Sequence, residues 1–513
     1  MRKPSRRTIL KATACAPIVI SATSSLGAAK DDPINLTTKA AAERIQKGEM
    51  KAEDYAARLL AHSDKHKELN AWVVVDRTRV LEEARAVDQA RARGEKLKAL
   101  SGVPFAVKDQ IDAAGYPTTA GNGALRKYVP KRSAPVVQRL VDAGGIVFGK
   151  TTCPDMTGGG HLMMSATSHS RVLGKVRNPY NPNHGPGGSS GGNGVAIAAR
   201  MVPCGIGEDT GGSVRFPAAF CGIAGLRPST YTIDLALGTG KAKRYSDEGI
   251  VPPPGFRETF GPMARTVADC ALLDELVTGE RTPQVNLRDA KLGIPNAKYW
   301  GNDFVDQGVA TIMRESFAKL RAAGATLVEI DFESLRIAGD ALTPALSHFE
   351  KPGDFSAWLK VNAPGITLED IYAGRTPPGP RAPSKLSDAE ARATLTATLQ
   401  GYEALFKTNG IVAVLSPTMT VPSPPLAAGV ESMDQKVMVN GKPLTEVEVI
   451  VKNIFWGPRL GVPGLNVPAG LARGLPVGLA LEGLPGSDIR ILGLGIAVEN
   501  VLGPLPGPAL LGA

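Results

Sequence analysis

Gly207-Glu208-Asp209-Thr210-Gly211-Gly212-Ser213-Val214-Arg215 packs two acids, paired glycines, a serine and an arginine into one short stretch. Two upstream segments belong with it. Gly102-Val103-Pro104-Phe105-Ala106-Val107-Lys108-Asp109 is an apolar strand ending in a lysine, and Gly187-Gly188-Ser189-Ser190-Gly191-Gly192 is a serine pair framed by glycines. A lysine on an apolar strand is a candidate for desolvation, which lowers its pKa and lets it act as a base near neutrality. Glycines beside a serine let backbone N–H groups turn inward and approach a ligand closely, where they can stabilise an oxyanion. A serine hydroxyl stays inert until a base takes its proton. Taken singly, each segment reads as an ordinary strand end or loop; together they supply a base, hydroxyls and donors.

Around these segments, helical and strand patterns alternate. Helices are predicted over 38–47, 52–66, 80–94, 136–143, 266–278, 305–323, 386–408 and 489–501. Short apolar runs predict strands at Trp72–Val75, Ile146–Phe148, Lys291–Pro295, Thr326–Asp331, Ile411–Leu415 and Val477–Leu481. From Val103 to Leu226 the chain is dense in Gly, Ser and Pro, and Pro377–Pro383 reads as a loop. Alternation of this kind predicts an α/β fold, an α/β/α sandwich around a large mixed β-sheet. The 513 residues show no repeat and no linker polar enough to separate independent domains.

Three motifs fail on context. Gly144–Thr151 has the spacing of a phosphate loop, but its interior is Ile-Val-Phe, a buried strand, and Cys153-Pro154 follows where a helix should begin. Gly187–Gly191 matches a nucleophile elbow, yet the Asn- and Pro-rich stretch 178–186 before it cannot be a buried strand. Ser316-Phe317-Ala318-Lys319 lies in an amphipathic helix without its partner motifs and reads as a solvated helix face.

The net charge of +10 does not signal nucleic-acid binding. Residues 1–29 hold Arg2, Lys3, Arg6, Arg7 and Lys11 and no acid, so the rest of the chain carries about half that excess, interspersed rather than clustered. Ser5-Arg6-Arg7-Thr8-Ile9-Leu10-Lys11 resembles a twin-arginine export signal, with Ile9 where Phe is usual. An apolar stretch too short to span a bilayer follows, then the small residues Gly27-Ala28-Ala29. This predicts a signal over 1–29, the twin-arginine export machinery as a transient partner, a periplasmic or secreted protein of residues 30–513, and no stable membrane anchor after cleavage. Cys15 leaves with the signal. Cys221 and Cys270 read as buried thiols, no C-x-x-C pair suggests zinc, and a disulfide stays open.

The three segments, in their order and with Ser189 and Ser213 twenty-four positions apart, resemble the amidase signature family. Residues 215–228 and 261–269 continue the likeness. The resemblance implies the amidase signature fold over 30–513 and amide hydrolysis by a Ser-Ser-Lys triad without metal or cofactor. By that likeness Ser213 is the nucleophile, Ser189 the bridging serine beside a cis peptide bond, and Lys108 the base. The N–H groups of Thr210, Gly211, Gly212 and Ser213 hold the oxyanion. Asp209 and Arg215 shape the site as a charge-assisted pair, and Ser190 helps position the Lys108 side. The stretches Phe349–Phe355 and Gly461–Gly470, with 474–478 and 485–488, are similar to indoleacetamide and mandelamide hydrolases, which points to a small, aryl-substituted amide as substrate. Residues 153–164 depart from the family pattern at the expected pocket entrance. The competing readings are a peptide amidase or other acyl-amide amidohydrolase, a glutaminase subunit of a tRNA-dependent amidotransferase, which the export signal disfavours, and a non-enzymatic binding protein. No nucleic-acid partner is expected, and a homodimer stays open.

Overall fold

Runs of four to nine mostly apolar residues build the centre of the molecule. The computed structural model describes residues 32–157, 173–350, 353–373, 384–426, 435–450 and 452–512. Its strands are β1 (Trp72–Val75), β2 (Pro104–Lys108), β3 (Ile146–Thr151), β4 (Cys204–Asp209), β5 (Ala224–Arg227), β6 (Thr259–Ala264), β7 (Lys291–Pro295), β8 (Thr326–Ile330), β9 (Ala413–Pro417), β10 (Lys436–Val439), β11 (Lys442–Thr445), β12 (Gly464–Ala472) and β13 (Leu475–Glu482). Eleven of them form one mixed sheet in the order β1-β3-β2-β4-β6-β5-β12-β13-β9-β7-β8. Neighbours are parallel within β3-β2-β4 and within β9-β7-β8. The other pairs are antiparallel.

Side chains along a strand alternate between the two faces, and here each face has its own core. Phe105 and Val107 enter a core shared with helices Val267–Thr278 and Asp488–Leu502. Ala106, Ile146 and Phe148 enter another, shared with helices Ala52–Lys65 and Gly191–Ala198. Helices therefore cover both faces, as the alternation of patterns predicts.

Most predicted elements stand within two residues of their expected places. Lys291–Pro295 is a strand over those residues, and the expected helix 305–323 runs Gln307–Ala322 with Asp306 capping its first amides. The predicted strand Ile411–Leu415 forms instead over Ala413–Pro417. Gly410 first ends the preceding helix in the left-handed conformation (φ 63°), and the Ile411 N–H then closes back on Phe406. No strand is predicted at β4, β5, β6 or β12, whose segments carry glycine or proline among their apolar residues. In β12, Pro468 sits where the register with β13 shifts, the one kind of place a sheet interior tolerates proline. Ser316 is a correction: it is buried, its hydroxyl donating to Ile312 O at 2.8 Å, and it does not lie on a solvated face. The motif at 144–151 becomes β3, buried along its whole length. Residues 1–31, 158–172 and the loop at 377–383 lie outside the described residues.

Helix Gly191–Ala198 matters most for the site because Ser189 and Ser190 precede it. Its glycines allow a close approach: a Cβ on Gly192 would stand 2.5 Å from Thr152 N and 2.7 Å from Ala71 O. Gly192→Ala is expected to destabilise the fold by about 1–3 kcal/mol through overpacking. Gly401→Ala, on an exposed helix position with open space around it, should stabilise by up to about 1 kcal/mol. Denaturant unfolding of both variants checks the pair.

Candidate active site

Strands β2 and β4 are parallel neighbours, with Val107 opposite Ile206. Their C-terminal residues, Lys108 on one and Glu208 and Asp209 on the other, therefore emerge at the same end of the sheet. Ser189 stands beside them in the turn that leads into helix Gly191–Ala198, and its peptide bond with Gly188 is cis. Lys108 Nζ donates to Ser189 Oγ at 2.6 Å and to Glu208 Oε2 at 2.9 Å. Lys108, Ser189 and Glu208 are all 0 % exposed. Ser190 N–H donates to Ser213 O at 3.1 Å, which ties the turn carrying Ser189 to the loop carrying Ser213. Thr210, Gly211 and Ser213 are half-buried. The site thus has a closed side that holds the lysine and an open side that presents Ser213.

The loop 209–215 is held by a buried ionic cluster. Asp209 pairs with Arg215 at 3.3 Å and with Arg227 at 3.0 Å, and Arg227 also donates to the Asp209 carbonyl. Arg215 reaches Glu482 at 3.0 Å and Ile454 O at 3.0 Å. Burial by itself would raise the Asp209 carboxyl; Arg215 and Arg227 outweigh it and hold the group well below the usual carboxylate range. Burial pushes Glu482 up to about 8, with Arg215 opposing. The same Asp209 carboxylate accepts from Gly212 N–H at 2.6 Å and from Val214 N–H at 3.2 Å. The Gly212 N–H expected at the oxyanion is therefore engaged with Asp209, which leaves those of Thr210, Gly211 and Ser213 as the candidate donors.

Ser190 does not contact Lys108. Its hydroxyl donates to Glu208 O at 3.2 Å and accepts from Glu208 N–H at 3.3 Å, so it braces the residue that pairs with the lysine. Sequence reasoning gave no role to Glu208, Arg227, Glu482 or Phe455. Glu208 carried a signal: an acid two residues past Ile206 in an apolar strand has to be answered by a buried partner. Phe455 is half-buried, and a Cβ added to Gly211 would stand 2.4 Å from its ring, so its aromatic edge walls the loop beside Ser213.

The remaining sequence candidates are structural. Lys150, from the phosphate-loop look-alike, is buried and donates to Thr118 Oγ1 at 2.9 Å and Pro117 O at 3.2 Å. Cys153, Cys204, Cys221 and Cys270 are buried free thiols, each pushed up by desolvation, Cys204 to about 12. Of the stretch 153–164 expected at the pocket entrance, Cys153 and Met156 are buried, and residues 158–164 lie outside the described residues.

The sequence profile of the family described as Amidase matches residues 55–492. Over 471 residues the chain is 32% identical to the mandelamide hydrolase of Pseudomonas putida, covering 87% of each chain. It is 32% identical over 477 residues to the indoleacetamide hydrolase of Rhizobium radiobacter, covering 88% of this chain and 95% of that one. A crystal structure of an amidase superposes with a TM-score of 0.72 at 26% identity, covering 91% of this chain and 100% of that one.

Two outcomes follow from the ionic cluster. Asp209→Asn leaves Arg215 and Arg227 without their shared counter-charge and is expected to cost about 3–5 kcal/mol in denaturant unfolding. The pH dependence has opposite signs for the two acids. Asp209, lowered in the fold, stabilises above its unfolded value near 3.9 and loses that contribution as pH falls. Glu482, raised to about 8, favours the fold fully below an unfolded value near 4.3 and loses that contribution as pH rises through its folded value. Glu482→Gln should therefore flatten the loss of stability between about pH 5 and pH 9, read from unfolding curves across that range.

Proposed function

The chain belongs to the amidase family and hydrolyses amide C–N bonds, and on that premise we propose that its substrate is a small carboxylic amide, aryl-substituted amides included, cleaved to the acid and ammonia. Ser213 is the nucleophile, Ser189 the bridging hydroxyl and Lys108 the base. The Ser213 proton passes through Ser189 toward Lys108 as Ser213 Oγ attacks the amide carbon, and the backbone N–H groups of Thr210, Gly211 and Ser213 receive the oxyanion. The proton then returns to the leaving nitrogen, and water releases the acid from Ser213 by the same relay. The observation that carries this reading is the buried 2.6 Å contact between Lys108 Nζ and Ser189 Oγ beside a half-buried Ser213. The base is shielded from solvent, while the nucleophile stays within reach of substrate.

The aryl preference draws on two supports. The relatives that share about a third of the sequence are named for mandelamide and indoleacetamide, and the Phe455 ring beside Gly211 offers an aromatic acyl group a partner. We also infer, from Ser5–Lys11 and the small residues 27–29, that residues 1–29 export the folded protein by a twin-arginine route; N-terminal sequencing of the exported form should begin at Lys30.

Ammonia release tests the substrate class, using indole-3-acetamide, mandelamide, benzamide, an aliphatic amide and a peptide amide. The expected result is turnover of the aryl amides. Ser213→Ala is expected to lower kcat by about 10⁴-fold or more, and Lys108→Ala by about 10²–10⁴-fold. Turnover that survives in Ser213→Ala contradicts the mechanism, and turnover confined to the peptide amide contradicts the substrate class.

A further inference from the structure

Glu208 meets the relay at its buried end. Its Oε2 lies 2.9 Å from Lys108 Nζ, its Oε1 accepts from Thr210 Oγ1 at 2.6 Å, and its backbone is braced by Ser190 Oγ. Residue 208 is thus held from all three site segments, its carboxylate by Lys108 and Thr210 and its backbone by Ser190, with no exposed surface on the Lys108–Glu208 pair. The surrounding polar side chains have partners of their own. Arg227 and Arg215 are paired with Asp209 and Glu482, and Asp109 is taken by Thr119 and Gly121. Lys150, on the neighbouring strand, is bonded by the neutral Thr118 hydroxyl, and Cys153 is kept as a thiol by burial. Lys108 and Glu208 are therefore each other's charged partner.

Such a pair has two forms, ammonium with carboxylate and amine with carboxylic acid. Burial penalises separated charges, and the second form carries none. We propose that Glu208 is the terminal proton acceptor of the relay, holding the proton that leaves Lys108 a free amine. The inference rests on the Ser213–Ser189–Lys108 reading above. In the forward step a Lys108 N–H proton moves to Glu208 Oε2, which frees the Nζ lone pair. The Ser189 proton moves to Nζ and the Ser213 proton to Ser189 Oγ. The Ser213 Oγ–C bond forms while the carbonyl π pair moves onto oxygen. The acid, the ammonium and the oxyanion result. On collapse the proton returns along the same atoms to the leaving nitrogen, and ammonia departs as the C–N bond breaks. Glu208 touches no reacting atom and acts through Lys108, which makes it a positioning residue.

Covalent labelling of Ser213 by a fluorophosphonate tests this independently of the substrate. The Oγ–P bond forms, the P–F bond breaks, and the serine proton leaves with fluoride. The pH–rate profile is measured on the full chain, with the site located by peptide mass spectrometry. Glu208→Gln should label about 10–100-fold more slowly near neutrality, the range general-base assistance supplies, while keeping the melting profile of a folded protein. Thr210→Val removes only the hydroxyl that favours the charged carboxylate, so the acid limb of its profile should move to higher pH. Labelling of Glu208→Gln that matches or exceeds the unsubstituted rate, with the acid limb moved to lower pH, overturns the proposal: Glu208 would then be a counter-ion that restrains the base. Should Glu208→Gln not fold, an unmoved acid limb in Thr210→Val overturns it equally. If the unsubstituted chain shows no label on Ser213, the relay itself falls, and the role of Glu208 with it; Lys108→Ala, silent in a protein that otherwise labels, separates that case.

Discussion

A charge taken out of water costs several kcal/mol unless a partner meets it, and this protein buries six ionisable side chains at one end of its sheet. Lys108, Glu208, Asp209, Arg215, Arg227 and Glu482 are each 0–1 % exposed. They come from four strands and one helix start, so the charges can be matched only when those elements are in register. The pairing of β2 with β4 sets Lys108 against Glu208. The antiparallel run from β4 through β6, β5, β12 and β13 brings Arg227 and Glu482 to Asp209 and Arg215. A slip in any of these pairings would strand a buried charge.

The chemistry inherits its geometry from that cluster. Asp209 fixes the 209–215 loop by accepting from Gly212 and Val214 N–H, and this orients the half-buried Ser213 at the open edge. The closed edge keeps Lys108 from solvent. In the mechanism proposed above, a nucleophile that must meet substrate and a base that is kept from solvent need opposite surroundings. In the proposed relay the two are joined through one intermediate hydroxyl, Ser189, rather than placed together. The close seat of helix Gly191–Ala198 against β3 keeps that hydroxyl at the end of Lys108.

The sequence displayed most of the architecture and the three site segments. Helices such as Gln307–Ala322 and strands such as Lys291–Pro295 carry strong periodic or apolar patterns and stand where those patterns put them. Strand β12 was hidden because its glycines and proline match loop chemistry, and only its two strand neighbours hold it extended. Lys108, Ser189 and Ser213 were legible because each sits in a segment whose composition is unusual on its own. Glu208, Arg227 and Glu482 were not, because their meaning depends on partners 18 to 267 residues away along the chain, set by strand order. The same limit applies to Gly212: the family resemblance implied a donor to the oxyanion, whereas the Asp209 side chain folds back to claim its N–H.

If cleavage runs through an acyl group on Ser213, every substrate derived from one acid passes through the same intermediate. Partitioning between water and hydroxylamine tests this most directly, using a primary amide and the methyl ester of the same acid. If both form one acyl-enzyme, the ratio of hydroxamate to free acid at a given hydroxylamine concentration will be the same from either substrate, and Ser213→Ala will yield neither product. Ratios that differ between amide and ester, or acid release with no hydroxamate at any concentration, would contradict the account.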